Sequence, residues 1–521
     1  MKVERMVKKG LVILAAVVLT ASSANAANVE TMGIGSMNTA QAGAVAAYAD
    51  NVFAAYYNPA GLTLIEKPTL TVSTMFYDAQ IKVYDWEVRG VDQSDNPNVN
   101  AGPMDFESDK MFIASPSMGF AMPITEKVSL GVAAYTPYGM TVTWDKDPSE
   151  NPGAAYAWES TYGRVAVTPT LAYKVSDKLS FGVGVSMGRS VSDAGKTADY
   201  SDNFNAIANA YAIAEADGRD YLVPTDIENG TAAAVGNSYG YLGAGATLDD
   251  AKALAAQATL LDGSQVVMET TDDFNYSFNV GVMYRPIEQL SFGLTYRGRT
   301  DAKFEGDLTI KDANVLDPAT GAPIKMDLGG TVEMDYDHPE QVQAGVRWFA
   351  NDKLSVEADV TWTGWSVNDE QVENAVIKNV PTPVPGGGIV EMDQEVSFKH
   401  ARDWEDTTAY RLGVSYQATE AFVFRAGYAY DPSPVPDETF DMGWPDTDRN
   451  LYSLGMGWKI NERWMLDAVL QHIVSTSKRA TTGGSHEMNH NYGNVYGKDA
   501  EVYMKDEGIL WGAGMTVTYT F

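Results

Sequence analysis

His486-Glu487-Met488-Asn489-His490 reads H-E-x-x-H. On a helix, that spacing stacks both imidazoles on one face to hold zinc, with the glutamate as general base. Here the pentad is framed by Thr482-Gly483-Gly484-Ser485 and Asn491-Tyr492-Gly493-Asn494, which are poor helix formers. A zinc enzyme is therefore not expected, and an adventitious loop site is the remaining metal reading. His338, His400 and His472 are scattered, and neither a Ser/His/acid cluster nor a phosphate-cradling glycine loop stands out. The chain is read as a non-enzyme with no catalytic residue, no metal site and no cofactor.

A second constellation is electrostatic. In the run Phe422 to Asp431, side-chain alternation puts Phe422, Phe424, Tyr428 and Tyr430 on one face and Arg425 and Asp431 on the other. Past the following loop, Leu451, Ser453 and Gly455 share the second face, which brings Arg449 inside at the level of Asp431. Parity alone makes the two partners for a salt bridge in the wall.

The elements that must position these residues are strands. Leu354, Val356, Ala358, Val360 and Trp362 fall opposite Ser355, Glu357, Asp359 and Thr361, and the same split recurs at Val128 to Ala134 and at Leu290 to Arg297. Short turns at Pro123–Lys127, Ser176–Lys178, Pro286–Gln289, Ala350–Lys353, Gln417–Glu420 and Asn461–Arg463 alternate with much longer connections, the pattern of an outer-membrane barrel. Six hairpins plus one strand at each end give fourteen strands. They are expected at 67–85, 104–122, 127–145, 160–176, 178–192, 266–286, 289–308, 331–349, 352–367, 400–417, 420–431, 447–460, 463–478 and 503–521. Trp362, Trp365, Trp458, Trp464 and Trp511 lie near strand ends, as interfacial belts require. The expected fold is an all-β, fourteen-stranded antiparallel transmembrane barrel over 67–521.

Lys2, Arg5, Lys8 and Lys9 precede the apolar run Leu11 to Ala21, and Ala24-Asn25-Ala26 offers a small-residue cleavage site, so 1–26 reads as a secretory signal peptide. Residues 27–66 are rich in Gly and Ala and lack long alternating runs, which suggests a hatch of short helices inside the lumen. The longest outer connection, about 192–265, is Ala-rich, with candidate helices at Phe204–Ala216 and Leu248–Leu261. Pro381 to Gly388 reads as loop. The chain has no cysteine, so disulfides and thiolate metal sites are excluded, and its net charge of −32 argues against nucleic acid as a partner.

Three motifs in order, Asn58-Pro59-Ala60, Asp431-Pro432-Ser433-Pro434-Val435-Pro436 and Pro445-Asp446-Thr447-Asp448-Arg449, make the mature chain resemble the FadL-type family of outer-membrane long-chain fatty acid transporters. The resemblance implies a lumen blocked by the hatch, with Asn58, Pro59 and Ala60 as its gate. It also implies a third strand kinked inward to open a lateral window. That strand carries Tyr135-Thr136-Pro137-Tyr138-Gly139, where proline and glycine would weaken pairing in any sheet. Asp431 is implied in the ligand pocket, with Arg449 beside it and Lys399 and Lys196 near positions of basic partners. The implied function is passive, gated uptake of long-chain fatty acids or related hydrophobic molecules by a monomer in the outer membrane of a Gram-negative bacterium, in contact with its lipid. A non-transporting structural or receptor barrel with adhesive loops is the alternative.

Overall fold

The computed structural model describes residues 30–89, 103–147, 149–154, 156–197, 263–320, 322–383, 389–475, 479–480 and 501–521. The expected signal peptide, both loop helices and the H-E-x-x-H pentad lie outside them.

The strands are β1 (Thr69–Arg89), β2 (Met104–Glu107), β3 (Met111–Pro123), β4 (Val128–Thr143), β5 (Glu159–Ser176), β6 (Leu179–Thr197) and β7 (Gln265–Ile287), then β8 (Leu290–Arg297), β9 (Thr300–Leu316), β10 (Pro323–His338), β11 (Gln341–Phe349), β12 (Leu354–Thr363), β13 (Glu370–Pro383) and β14 (Ile389–Ala401). They finish with β15 (Thr407–Gln417), β16 (Phe422–Asp431), β17 (Arg449–Lys459), β18 (Trp464–Ser475), β19 (Arg479–Ala480) and β20 (Glu501–Thr520). All lie in one antiparallel sheet, closed by β1 against β20 from Thr69↔Thr520 to Arg89↔Glu501. Several walls are interrupted and resume: β2 continues β3, β9 continues β8, β10 continues β11, β13 continues β12, β14 continues β15, and β19 continues β18. Counted this way, the barrel has the expected fourteen walls, with short turns at the six expected places.

Alternation explains why these segments pair. On β8, Phe292 and Leu294 point out and are exposed, while Ser291 and Thr295 point in and are buried. Beyond Arg297 the phase inverts: on β9, Ala302, Phe304, Leu308 and Ile310 are buried, and Lys303, Glu305 and Asp307 face outward. Below this level the outer face meets hydrocarbon, and above it water, so the inversion marks the edge of the membrane band. The hairpins β9–β10 and β13–β14 therefore project past the membrane. Pro381 to Pro383, expected in a loop, belongs to β13, because a strand at such an edge tolerates proline.

The projecting part of the barrel is filled by an aromatic cluster that includes Trp86, Tyr138, Trp144, Tyr162, Phe304, Tyr336, Trp365, Trp404 and Phe440. Trp365, expected in an interfacial belt, is buried there with its ring 5.5 Å from that of Trp404. Trp458, Trp464 and Trp511 are exposed on the outer face.

Below the aromatic cluster, the wall encloses the segment Glu30 to Glu66, which contains the short helices α1 (Ser36–Thr39) and α2 (Ala54–Tyr57) and a 3-10 turn, Pro59–Leu64. Its backbone is too irregular to satisfy itself, and the wall supplies partners. Asp359 accepts from Ala46 N (3.0 Å), Glu357 from Ala47 N (2.6 Å), and Ser291 Oγ donates to Ala47 O (2.6 Å). Arg347 neutralises Glu357 at 2.7 Å and donates to Gln41. A buried carboxylate is tolerable only with partners of this kind.

Candidate functional site

Asn58 shows how tightly the enclosed segment is seated. It is fully buried, donates its side-chain amide to Ala46 O (2.6 Å) and Val282 O (3.1 Å), and accepts from Ala60 N (3.1 Å). Pro59 and Ala60 press on Gly182 of β6, and Asn58 presses on Gly281 of β7, where an added Cβ would collide. Similar contacts place Ala46 on Gly293, Ala42 on Gly427 and Ala40 on Gly455, so inward glycines on successive walls form the seat. The structure puts Asn58, Pro59 and Ala60 on β6 and β7, and not against the bend described next.

That bend is in β4. The β3–β4 ladder runs only from Pro123↔Ser129 to Met118↔Ala134, although both strands continue beyond it. From Met111 to Ser117, β3 pairs with β1 and not with β4. On its other side β4 stays bonded to β5, but with one surplus residue: Tyr135 faces Ala166, and Tyr138 faces Arg164. The surplus falls at Thr136-Pro137, where proline has no N–H to give a ladder. From Ala133 to Met140 every residue is buried, because the strand has left the lipid face and turned into the lumen. The chain's own start takes over the freed acceptors: Thr31 N donates to Pro137 O (3.0 Å), Thr31 Oγ1 to Thr136 O (2.6 Å), and Glu30 bridges to Tyr138. Tyr56 adds an edge-on ring contact to Tyr135 at 5.1 Å. Above the break, Asp109 N donates to Thr143 O at 2.9 Å, so the wall is joined again.

Asp431 and Arg449 meet across β16 and β17 as parity requires, with Arg449 Nη2 2.6 Å from Asp431 Oδ2 and Nη1 3.0 Å from Asp446 Oδ1. The wall salt bridge exists. The same guanidinium also lines a cavity with Ile81, Asp446, Ile473, Asp506 and Leu510, so the residues that could touch a ligand already neutralise one another. Lys196 lies within electrostatic reach of Glu373, which lines a second, more polar cavity with Asp193, Thr270, Gln371 and Trp444. Lys399 is not brought to either cavity. It sits on β14 beyond the membrane, mostly exposed, and pairs with Glu370. Glu30, Thr31 and Arg164 were missed by sequence reasoning, although Arg164 is a charge on the inward face of β5 and parity alone would have flagged it.

The profile of the outer membrane protein transport protein family (OMPP1/FadL/TodX) matches residues 15–521. The chain belongs to this family. The long-chain fatty acid transport protein of Escherichia coli K12 is 21% identical over 484 residues, covering 92% of this chain and 90% of that one. Outer membrane protein P1 of Haemophilus influenzae is 23% identical, with 87% of each chain covered. A FadL homologue from Pseudomonas aeruginosa superposes with a TM-score of 0.67 at 19% identity over 95% of this chain and 100% of that one. This member of the OMPP1/FadL/TodX family is thus an outer-membrane transport barrel of a Gram-negative bacterium, and the fourteen walls described above are its membrane-spanning body.

Proposed function

We propose that the chain is a passive channel, and not an enzyme, for long-chain fatty acids or related hydrophobic molecules, which leave sideways between β3 and β4. The observation that carries this reading is the stretch Met111–Ser117, which is laddered to β1 but not to β4, opposite the bend at Tyr135, Pro137, Tyr138 and Gly139. A closed barrel normally satisfies every backbone group in its wall, because an orphan in hydrocarbon costs several kcal/mol. Here Glu30 and Thr31 bond the β4 side of the break, and in this scheme the segment that carries them moves away to open it. Substrate would be held first at the cavity lined by Arg449, Asp446 and the apolar Ile81, Ile473 and Leu510, with Asp431 behind the guanidinium, since an apolar pocket with few placed charges suits a fatty acid. The family relative in E. coli carries long-chain fatty acids in its name, and other solved neighbours are toluene transporters, which sets the range of cargo.

Residues 27–66 act in this scheme as the hatch. Asn58, Pro59 and Ala60 form its anchored end, about which the part touching the bend moves. No energy source or cofactor is required, because the substrate partitions from the lumen into lipid. Lateral release asks nothing of a second copy, so the working unit is a monomer.

The test is uptake of radiolabelled hexadecanoic acid by cells lacking their own outer-membrane fatty acid channel. Deleting Pro137 removes the one surplus residue while leaving Tyr135 and Tyr138 inward, so β4 can run straight and pair with β3. Wild type should restore uptake, and the assembled Pro137 deletion should fall to the level of cells with no channel. Equal uptake by both would place the exit elsewhere. A variant lacking Asn58 to Ala60, if it still assembles, should lose control of uptake.

A further inference from the structure

The inward arginines of the barrel divide by what neutralises them. Arg347 has Glu357 (2.7 Å), Arg402 has Asp441, Arg425 has Asp467 (2.7 Å), and Arg449 has Asp431 and Asp446. Among the described residues Arg297 and Arg411 make no ion pair with a carboxylate, but they donate to the carbonyls of Tyr56 and Ala42 in the enclosed segment. Arg164 is different. It is 4% exposed, and its two hydrogen bonds go to neutral groups, Nε to Asn275 Oδ1 (2.8 Å) and Nη1 to Ser186 Oγ (3.2 Å). Its Nη2 is buried with no acceptor, and among the described residues no carboxylate forms an ion pair with it. Asp272 is one step removed, bonded to Asn275 Nδ2 at 3.1 Å.

A buried guanidinium whose nearest carboxylate acts only from a distance, through Asn275, is poorly compensated, and an anion arriving at its free Nη2 would complete it. Its position says where. Arg164 lies directly across the ladder from Tyr138, at the bend that opens the wall and that Glu30 and Thr31 cover. We propose that Arg164 receives a carboxylate head group at the break between β3 and β4, so that the exit is built for an anionic amphiphile, a fatty acid, and not for a neutral hydrocarbon. The inference rests on the sideways-exit reading and adds a head-group site to it. A carboxylate offers the planar pair of acceptors that a guanidinium fork matches. The acyl chain would extend toward the lipid past Phe112, which is 77% exposed on β3.

The test uses purified full-length protein in phospholipid vesicles and hexadecanoic acid carrying a diazirine near its carboxyl end. Its methyl ester is compared, and cross-links are mapped by mass spectrometry. A hydrogen bond to a charged group is worth enough that the acid should label the β4–β5 hairpin about tenfold more than the ester. Arg164→Gln should lose that preference, and Arg164→Lys should keep most of it. A heat-shifted band on a gel shows which variants have assembled, and the lysine variant serves if glutamine prevents folding. Equal labelling of the hairpin by acid and ester, or an unchanged preference in Arg164→Gln, overturns the assignment. Label found only elsewhere, with Pro137 deletion still abolishing uptake, removes Arg164 and leaves the sideways exit intact. Absence of both labelling and uptake removes the transport reading along with it.

Discussion

Gly182 and Gly293 show what a single hydrogen can decide. A Cβ on Gly182 would overlap the backbone of Pro59 and Ala60, and one on Gly293 would overlap the Ala46 carbonyl. Neither obstacle is a flexible side chain, so the hatch must shift. Gly182→Ala or Gly293→Ala should destabilise the folded barrel by about 1–3 kcal/mol through overpacking. Hatch cleavage by added protease should rise in parallel. Gly329→Ala, with open space around its Cβ, should leave both readouts unchanged. The urea midpoint of the heat-shifted gel band measures the first effect, and a protease time course the second. None of this was legible beforehand, because a glycine facing a hatch and a glycine in a loose strand look alike in sequence. Asp431 and Arg449 were legible, since two-residue alternation carries a side chain's direction without further information. Lys399 is named on the resemblance and not on alternation, and on β14 it is mostly exposed and pairs with Glu370, away from both cavities.

The strands of the membrane band were written plainly in the chain, and their outer extensions were not. Expected strands stopped at 308 and resumed at 331, where β9 and β10 in fact continue and pair from Thr300↔His338 to Leu316↔Pro323. The inversion of phase near Arg297 ends the run of outward apolar residues, so no such run was left to carry the strand past 308. The projecting hairpins share another device that the sequence hides. Asp85, Asp312 and Asn379 each adopt a left-handed φ of 54° or 55° at a bulge. Each donates its N–H to an aspartate on the partner strand: Asp105 (2.9 Å), Asp327 (3.0 Å) and Asp393 (3.0 Å). Asp and Asn tolerate this conformation better than other non-glycine residues, and the bulge sharpens the twist of the hairpin. Asp327→Ala should leave the Asp312 N–H without its acceptor and weaken the β9–β10 tip by about 0.5–1.5 kcal/mol. Hydrogen exchange at the Asp312 amide should accelerate accordingly, while the membrane band keeps its protection. Asp312→Gly should be neutral or stabilising, because glycine occupies the left-handed region freely.

At the scale of the whole barrel, the lumen is closed twice. The enclosed segment Glu30–Glu66 reaches across the membrane band from Gly182 and Gly281 on one side to Gly427 and Gly455 on the other. Above it, Trp404 and Trp444 sit 6.0 Å apart, Tyr336 stacks on Trp444 at 5.4 Å, and Tyr162 approaches the same ring at 5.6 Å. These rings come from separate walls and loops, so the upper seal does not depend on the hatch. Fourteen walls enclose more room than the eight that side chains alone can fill, and an empty barrel of this size would conduct water and ions. The Gly- and Ala-rich start, without long alternating runs, marked out in sequence the segment that the wall encloses. The sequence concealed the second closure, because the tryptophans that build it are spread from Trp86 to Trp444, and the one singled out, Trp365, looked like a belt residue. Removal of residues 30–66 alone should therefore raise ion conductance in a planar bilayer only slightly. The same deletion combined with Trp404→Ala and Trp444→Ala should produce a steady open pore. If the deletion alone conducts like the combined variant, the aromatic cluster is packing and not a seal. A sharp rise from the two tryptophan changes with the hatch still in place would show instead that the hatch never closed the lumen, and the route past Arg449 would have to be redrawn as a continuous passage.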